Sequence, residues 1–314
     1  MKHMTTKEIQ LHSQSVVTLG NFDGVHLGHR ELIKTAYEIA QNKGMQSVVL
    51  TFAPHPKLVF QKPNQENPFA LIMSREEKKR VIGSMGVDIY IEYPFDRNFA
   101  MTTPQVFFEE ILIKLLQCKV LIIGEDYHFG ANRQGNITML KELGELHGVE
   151  VISIPAVMQK GERISSTRVR DALIHKNFDE VKEMLTTPYF ILGTVVQGKQ
   201  LGRTIGFPTI NVEAEEHKLF PPNGVYATQS LIDGVYYFGV TNIGHNPTVN
   251  GSQKIIETHL FDFQEDVYGK EIQTFVYHFL RSEKKFNGIE ELMEQIAINA
   301  EQAKTYFREN YDNL

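Results

Sequence analysis

Residues 15–29 read Ser15-Val16-Val17-Thr18-Leu19-Gly20-Asn21-Phe22-Asp23-Gly24-Val25-His26-Leu27-Gly28-His29 and decide the fold of the first half of the chain. A strand-like apolar run is followed by a turn with glycines, and then by a run with helical periodicity that Gly44 ends. This order favours phosphate binding, because the first N–H groups of a helix have no internal partners and carry partial positive charge.

His26 and His29 are three residues apart at the predicted start of this helix. That spacing places both rings on one side of the first helical turn. The rings can donate hydrogen bonds to a phosphate chain and, if protonated, offset its charge. Taken alone, the same pair also fits two surface histidines beside a glycine-rich turn.

Strand and helix patterns alternate from residue 15 to residue 186. The later strand-like runs are Gln46–Phe52, Val87–Tyr93, Val120–Ile123 and Val149–Ile154. Ser74 and Glu77 form a capping box for a helix that ends near Gly86. Thr103 and Pro104 are an N-cap and a first-turn proline for an apolar helix to about Leu116, and a third helix is predicted over 138–147.

Apolar strands joined by helices predict a parallel sheet that is covered on both faces. In such sheets ligands bind beyond the carboxyl ends of the strands. The turn after Leu19, the Pro54-His55-Pro56 segment and Asp126 each follow a predicted strand end. We therefore expect them to converge on one crevice.

The pattern changes near Thr187-Pro188, after which crossover helices are no longer predicted. Strand-like runs cover Tyr189–Gln197, Val225–Ile232, Tyr236–Thr241, Lys254–Phe263 and Glu271–Leu280. Asp233-Gly234 is a two-residue hairpin turn between two of them. The pattern predicts an antiparallel barrel or sandwich.

A helix of about twenty residues is predicted to begin at Gly288, with Asn287 and Glu290 as a cap pair. Its apolar stripe is expected to pack on the barrel; the stripe comprises Ile289, Leu292, Met293, Ile296 and Ala300. The sequence thus divides into a domain of residues 1–186 and a domain of residues 187–314.

Composition limits the classes of function. With 314 residues, 42% hydrophobic and 22% charged, the chain is long enough for two ordinary globular domains. A net charge of −6 argues against nucleic acid as the main partner. No run of about 18 apolar residues indicates a membrane span, and no secretory signal is evident. The single cysteine, Cys118, is expected to be buried and unreactive, and we expect a cytoplasmic protein.

Motifs along nearly the whole chain resemble, in order, those of the prokaryotic bifunctional riboflavin kinase/FAD synthetases. In the first domain they are the residue 20–29 motif, Thr51–Pro56, Gly124–Gly130 with Arg133 and Gly135, and Ile164–Arg168. In the second they are Gly202–Asn211, Asn242–Gly244 with Pro247-Thr248, and Glu257–Leu260. The resemblance implies an α/β plus β chain, in which a Rossmann-like nucleotidyltransferase domain with a parallel sheet precedes an antiparallel β-barrel with a terminal helix.

For the first domain, the resemblance implies attack by the FMN phosphate on the α-phosphorus of ATP, with pyrophosphate leaving. ATP would lie on His26, His29 and the backbone near Gly24 and Gly28. Other residues implied at the crevice are Asn21 and Asp126, with Ser165, Ser166, Thr167 and Arg168 contacting phosphate. For His55, a ligand role and an incidental histidine in a rigid loop remain equally open.

For the second domain, the resemblance implies phosphorylation of riboflavin to FMN with ATP and Mg²⁺. Thr209 and Asn211 would contact Mg²⁺ and the ATP phosphates, and the oxygen atoms of such side chains suit this hard cation. The nucleotide or flavin would lie close to Gly198, Gly202, Arg203 and Gly206. Glu257 would be the general base for the riboflavin hydroxyl. Glu257 could instead form an ion pair at the barrel mouth.

Three positions depart from the pattern that the resemblance sets. Ile210 replaces the usual alanine, Asn136 stands where an acid is common, and Val249 stands where an aromatic residue is frequent. None of them carries an assigned chemical step. The expected partners are riboflavin, FMN and ATP, and a homo-oligomer is possible. A monofunctional enzyme with one working domain and a flavin- or nucleotide-binding regulator remain as alternatives.

Overall fold

The computed structural model describes residues 1–7, 9–62, 65, 68–198, 202, 206–248 and 251–311. The chain forms two compact units, Met1–Ser166 and Thr167–Leu314. The predicted boundary between residues 186 and 187 lies some twenty residues later than this division.

The first unit is built on a six-stranded parallel sheet in the order β1-β4-β3-β2-β5-β6. Its strands are β1 (Lys2–Met4), β2 (Ser15–Leu19), β3 (Gln46–Ala53), β4 (Ile89–Pro94), β5 (Cys118–Gly124) and β6 (Glu150–Ile154). The predicted strands are confirmed. β1 was not predicted, and neither was the short hairpin of β7 (Met158–Gln159) and β8 (Glu162–Arg163).

The helices that connect the strands follow the prediction, except for α2 (Pro56–Val59), which was not predicted because the segment around His55 was expected to be a loop. They are α1 (Leu27–Lys43), α2 (Pro56–Val59), α3 (Arg75–Gly83), α4 (Pro104–Val106), which continues as a π-helical stretch (Phe107–Leu115), and α5 (Ile137–His147). The Ser74–Glu77 capping box is present, with both reciprocal hydrogen bonds made. Thr103 caps α4, and Gly44 ends α1 with a left-handed φ of 65°.

The sheet separates two hydrophobic cores, as the prediction of a sheet covered on both faces requires. Val16 packs with Ala36 and Ala40 of α1 on one face. Val17, the next residue, packs on the other face in a core that includes Phe108 of the π-helical stretch. Successive strand residues point to opposite faces, so one apolar run supplies both cores.

Cys118 begins β5 with its thiol buried. Burial raises the pKa of this thiol to about 12. The thiol therefore stays protonated at neutral pH, as its predicted unreactive character requires.

The second unit is a closed antiparallel barrel with strand order β10-β13-β12-β11-β14-β9, flanked by helices. Its strands are β9 (Tyr189–Val196), β10 (Ile210–Ala214), β11 (Gly224–Ile232), β12 (Val235–Thr248), β13 (Gly251–Leu260) and β14 (Glu271–Arg281). Its helices are α6 (Ser166–Ile174), α7 (Phe178–Leu185) and α8 (Ile289–Asn310). The hairpin turn at Asp233-Gly234 is confirmed, with φ values of 49° and 85°.

The terminal helix α8 packs on the barrel through its second half. Ala300, Ala303 and Phe307 form a core with Val225, Ala227 and Val240 of the barrel wall. Of the predicted stripe, Ala300 is buried, whereas Ile289 and Met293 near the helix start are exposed.

The predicted Asn287–Glu290 cap pair is wrong. Gly288 occupies the N-cap, and the Glu291 carboxylate accepts from the Asn287 backbone N–H at 2.9 Å. A glycine has no side chain with which to cap, so the carboxylate in the first turn supplies the acceptor instead.

Candidate functional site

His26 and His29 lie together at the start of α1, as their spacing predicted. His26 is the N-cap, and its Nδ1 accepts from the His29 backbone N–H at 3.4 Å. The two rings are stacked, with centroids 3.6 Å apart and an interplanar angle of 17°. A Cβ on Gly28 would lie 3.3 Å from the His26 ring, so glycine leaves room for the ring in this position.

The turn before α1 has an unusual backbone conformation. Phe22, Gly24 and Val25 have φ values of 47°, 86° and 41°. This left-handed region is unfavourable for a β-branched residue such as Val25. Phe22 and Val25 are fully buried, so core packing holds the turn in this conformation.

Asp23 anchors the same turn, although this role was not predicted from the sequence. Its buried carboxylate Oδ1 accepts from the Ile72 backbone N–H at 2.9 Å. The Ser166 hydroxyl donates to the Asp23 carbonyl oxygen at 2.8 Å. Ser166, a predicted phosphate contact, is therefore adjacent to the turn that is predicted to bind phosphate.

Both histidines are neutral at physiological pH. Burial, followed by the charge of Arg163, lowers the pKa of His26 to about 4. Burial also lowers the pKa of His29 well below its usual value, and the nearby positive groups His26, Lys78 and Arg163 lower it further. The buried Nδ1 of His29 has no hydrogen-bond partner among the described residues.

Arg163 links Asp126 to the two histidines. Its guanidinium is 2.8 Å from the Asp126 carboxylate, and this hydrogen bond holds the pKa of Asp126 below its usual range. Because Arg163 also lowers the pKa of both histidines, it brings Asp126 into the same electrostatic environment. Arg163 was not predicted from the sequence; its place two residues before Ser165 was the available signal.

The other predicted residues of this site have clear local positions. The Asn21 carbonyl oxygen accepts from Thr51 at 3.1 Å, at the end of β3. His55 is the N-cap of α2, accepts from the Lys57 N–H at 3.1 Å, and packs on the Phe69 ring. These contacts explain why His55 is buried without deciding between its two interpretations.

Ser165, Thr167 and Arg168 lie at the start of α6, where the division between the units falls. Thr167 is exposed. Arg168 belongs to the second unit, and its guanidinium is 2.7 Å from the Glu180 carboxylate of α7.

In the barrel, Asn211, Glu257 and Asn242 are directly paired positions on the neighbouring strands β10, β13 and β12. Paired positions share one face of a sheet, so the three side chains start from the same face of the barrel wall. The opposite face of β13 carries Ile256, Thr258 and Leu260, which are buried. This is the alternation predicted for the run around Glu257.

Inside the barrel, a chain of hydroxyl groups crosses three strands. Thr241 is 2.7 Å from Thr228 and 2.8 Å from Thr258, measured between hydroxyl oxygens. These bonds satisfy buried polar groups. The bond between Thr241 and Thr258 also supports the register of β12 and β13, which places Glu257 opposite Asn242.

Two glycines lie close to predicted kinase residues. A Cβ on Gly198 would overlap the Asn211 amide, and a Cβ on Gly202 would lie 3.3 Å from the Thr209 hydroxyl. Gly206 has a φ of 81°. These three positions thus require glycine for contact or conformation. Arg203 lies outside the described residues.

The barrel residues supply oxygen donors rather than a preformed metal cage. Over the described ranges, no group of three or more His, Cys, Asp or Glu side chains could hold a metal ion. Thr209, Asn211 and Glu257 offer a hydroxyl, an amide oxygen and a carboxylate. Such a set suits Mg²⁺, which keeps several waters and shares its coordination with substrate phosphates.

One departure noted in the sequence, Asn136, has a clear structural role. Asn136 is the N-cap of α5 and accepts from the Met139 N–H at 3.0 Å. Asparagine is as good as aspartate in this position, so the replacement preserves the helix start. Val249 lies outside the described residues.

Comparisons with known proteins match two successive parts of the chain to two different families. A family model for FAD synthetase matches residues 8–168, and one for riboflavin kinase matches residues 185–307. The bifunctional riboflavin kinase/FMN adenylyltransferase of Escherichia coli K12 is 40% identical over 93% of this chain and 92% of its own. The Bacillus subtilis 168 enzyme of the same description is 38% identical over 97% of this chain and 96% of its own.

A crystal structure of a Streptococcus pneumoniae protein, described as a macrolide-efflux protein, matches with a TM-score of 0.84 and 32% identity. The match covers 98% of this chain and 97% of that one. A chain that joins an FAD synthetase domain to a riboflavin kinase domain falls in the class of nucleotide-using transferases. The chain belongs to the bifunctional riboflavin kinase/FMN adenylyltransferase family.

None of the helices in the described part of the chain is long and apolar enough to cross a membrane.

Proposed function

We propose that the two reactions of this family occur in this chain at the two sites described above. Adenylylation of FMN to FAD is assigned to the turn and helix start at His26 and His29, and phosphorylation of riboflavin to the barrel face at Asn211 and Glu257. The observation that carries the first assignment is the stacked histidine pair at a helix N-terminus, with an unpaired ring nitrogen.

In adenylyl transfer, an oxygen of the FMN phosphate attacks the α-phosphorus of ATP, and the bond to the pyrophosphate oxygen breaks. The nucleophile is already an anion, so no general base is needed. The site has to align the reactants and stabilise charge on the leaving pyrophosphate. Neutral His26 and His29 can donate ring N–H hydrogen bonds, while Arg163 supplies a permanent positive charge.

The remaining predicted residues complete this assignment. We propose that the backbone at Gly24 and Gly28 approaches the phosphates, and that Asn21, Asp126 and His55 line the crevice. Ser165, Ser166, Thr167 and Arg168 are proposed as phosphate contacts at a helix start. The Ser166 hydrogen bond to Asp23 supports a position for it next to the turn.

In riboflavin phosphorylation, the 5′-hydroxyl must lose its proton as it attacks the γ-phosphorus of ATP. We assign the proton to the Glu257 carboxylate. Mg²⁺, when bound, neutralises phosphate charge, and Thr209 and Asn211 would hold it. Gly198, Gly202, Arg203 and Gly206 are proposed to bind the nucleotide or flavin.

We also propose a cytoplasmic location and small-molecule partners. A buried, protonated thiol as the one cysteine and a net charge of −6 support this view. Fractionation of cells that express the chain tests the location.

The assignment is tested by incubating purified protein with riboflavin, ATP and Mg²⁺ and separating the products by chromatography. Formation of both FMN and FAD is expected. A second incubation starts from FMN and measures the adenylyl transfer alone. If riboflavin gives FMN but no FAD, or if FMN gives FAD but riboflavin gives no FMN, the chain has one working site. If neither incubation gives a product, the assignment is contradicted. Chelation of Mg²⁺ should abolish FMN formation.

A further inference from the structure

Lys78 is a buried lysine beside the phosphate-binding turn, and no step described so far uses it. It lies in α3 and is only 6% exposed. Its ammonium donates to the Asn21 carbonyl oxygen at 3.2 Å and to the Thr51 hydroxyl at 3.3 Å. The Thr51 hydroxyl in turn donates to the same carbonyl oxygen at 3.1 Å. One carbonyl group of the turn thus receives two hydrogen bonds from two different elements.

The turn that Lys78 holds leads directly to the histidines. Asn21 precedes Phe22, the first residue of the turn with a left-handed φ. Because a trans peptide is planar, fixing the Asn21 carbonyl also fixes the direction of the Phe22 N–H. The Phe22 ring packs edge-on against His29, with centroids 5.4 Å apart. The position of the Asn21–Phe22 peptide is therefore coupled to the position of His29.

Charge balance does not by itself explain a lysine at this position. The neighbouring acid is Glu92 of β4, which pairs in register with Thr51 and whose pKa Lys78 helps to lower. Glu92 already contacts Arg75 at 2.9 Å and His3 at 3.1 Å. Burying an ammonium is costly, and an apolar side chain of similar volume in such a position is often equally stable. The contact with the turn distinguishes Lys78 from the other cations around Glu92.

We propose that Lys78 is a positioning residue for adenylyl transfer, which clamps the Asn21 carbonyl through its ammonium and Thr51 and so holds His26 and His29 in place. The ammonium also adds positive charge beside His29, where pyrophosphate would leave. This inference rests on the proposed roles of His26 and His29.

The charged groups around this clamp predict how the pKa of His29 changes when Lys78 is replaced. His29 is faced by His26 at the N-cap of α1, by Lys78 of α3 and by Arg163 of β8. Lys78 is faced by Glu92, which also contacts Arg75, His3 and the Tyr90 hydroxyl. Removing the positive charge of Lys78 should raise the pKa of His29, because one of its like-charged neighbours is lost.

The main test is Lys78→Met in the full-length protein, with FMN adenylylation and riboflavin phosphorylation measured separately. We expect kcat/KM for adenylylation to fall about 10- to 100-fold, since small displacements of positioned groups cost rates of this order. Phosphorylation should stay within twofold. Lys79→Met is the matched control, because Lys79 is the adjacent residue and its ammonium pairs with Glu76 of the same helix at 2.6 Å. It should leave both rates within twofold.

Three further measurements separate positioning from a merely structural role. Lys78→Arg keeps the charge and donors and should restore most of the adenylylation rate. NMR titration of the histidine rings should show a raised pKa for His29 in Lys78→Met and not in Lys78→Arg. Thr51→Val removes the bridging hydroxyl, and the Lys78→Met/Thr51→Val double variant should lose less than the product of the two single losses.

The proposal is overturned if Lys78→Met adenylylates FMN within twofold of the parent rate. It is overturned too if the rate losses of Lys78→Met and Thr51→Val simply multiply in the double variant. It is also overturned if the loss accompanies lost hydrogen-exchange protection of β3 and α3, or if the pKa of His29 does not move. A parent protein that makes no FAD contradicts the proposed function instead. If the parent makes FAD and Lys78→Met makes it equally well, only the role of Lys78 is contradicted.

Discussion

At the scale of single residues, His26 and His29 show how burial changes the chemistry expected from sequence. The spacing correctly predicted that the rings share one side of the helix start, and it allowed a protonated pair. Stacked rings within a buried, positively charged environment are neutral instead, with the pKa of His26 lowered to about 4. Their contribution before substrate binds is hydrogen bonding rather than charge.

This shift predicts how the stability of the first unit depends on pH. The folded-state pKa of His26 lies below the ordinary value of 6.5, so the unfolded chain binds more protons between these pH values. The free energy of unfolding should therefore fall as the pH drops from about 6.5 towards 4. His26→Asn keeps an N-cap residue and removes this titration, so its stability should depend less on pH. Hydrogen exchange of α1 and β2 in urea at pH 7 and pH 5 measures the difference; equal pH dependence in parent and variant would contradict it.

Glu257 is the residue on which the kinase reaction should depend most. Glu257→Gln keeps size and hydrogen bonding but cannot accept the hydroxyl proton, so phosphorylation should fall about 10²- to 10⁴-fold. The loss should appear in kcat more than in the KM for riboflavin. When FMN is supplied, FAD formation should continue at the parental rate. Riboflavin phosphorylation within a few-fold of the parent would leave Glu257 as a structural residue.

His29 provides the reciprocal experiment at the other site. His29→Ala should lower FAD formation by about 10²-fold or more, because a contact that stabilises the leaving pyrophosphate is lost. FMN formation should be nearly unchanged. Equal loss of both activities would show that the variant unfolds or that the sites are shared, and circular dichroism of the variant distinguishes these two causes.

At the scale of elements, the sequence predicted most of what local signals determine. The strand–turn–helix at residues 15–43, the capping box of α3 and the Asp233-Gly234 hairpin were all confirmed. β1 and β10 were missed, because Lys2–Met4 and Ile210–Ala214 are short and lack a continuous apolar run, so both are defined by pairing with distant segments. The π-helical form of residues 107–115 was also missed, since its apolar pattern resembles that of an α-helix.

The terminal helix illustrates a stripe that the sequence located only in part. Phe307 lies beyond the predicted stripe and is 1% exposed, with its ring 4.3 Å from that of Phe238. Phe307→Ala should lower the free energy of unfolding of the barrel by about 3–5 kcal/mol, the usual cost of such a cavity. Ile298→Ala is the control, because Ile298 is exposed on the same helix. Urea unfolding followed by hydrogen exchange in β11 and β12 measures the free energy of unfolding of both variants. If both variants lose a similarly small amount of stability, the packing role of Phe307 is contradicted.

At the scale of the whole molecule, the sequence predicted candidate site residues only where they belong to a recognisable motif. Asp23, Lys78 and Arg163 were missed, because their significance depends on contacts made across the fold. Lys78 is 57 residues from the carbonyl group that it binds. Nothing in the sequence around Lys78 distinguishes it from Lys79, which lies on the surface side of the same helix and pairs with Glu76. Burial alone separates the two, and burial is a property of the folded unit.

The boundary between the domains gives the last prediction. A fragment of residues 187–314 should fold and make FMN, since domains of this size are commonly autonomous. It lacks α7, however, whose Phe178 ring packs edge-on against Tyr226 of the barrel at 5.6 Å. α7 also buries Val181, Met184 and Leu185 completely. A fragment of residues 167–314 should therefore have the higher Tm, because the shorter fragment loses this apolar burial.

Thermal unfolding by circular dichroism and the FMN assay, applied to both fragments, test this boundary. Both fragments should phosphorylate riboflavin, and neither should form FAD, because His26 and His29 are absent from them. Equal Tm values would place the functional boundary at residue 187 and make α6 and α7 a connection rather than part of the barrel unit. A soluble, folded fragment of residues 167–314 without kinase turnover would show instead that the barrel needs the first unit for its activity, since α6 and α7 would already be present in it.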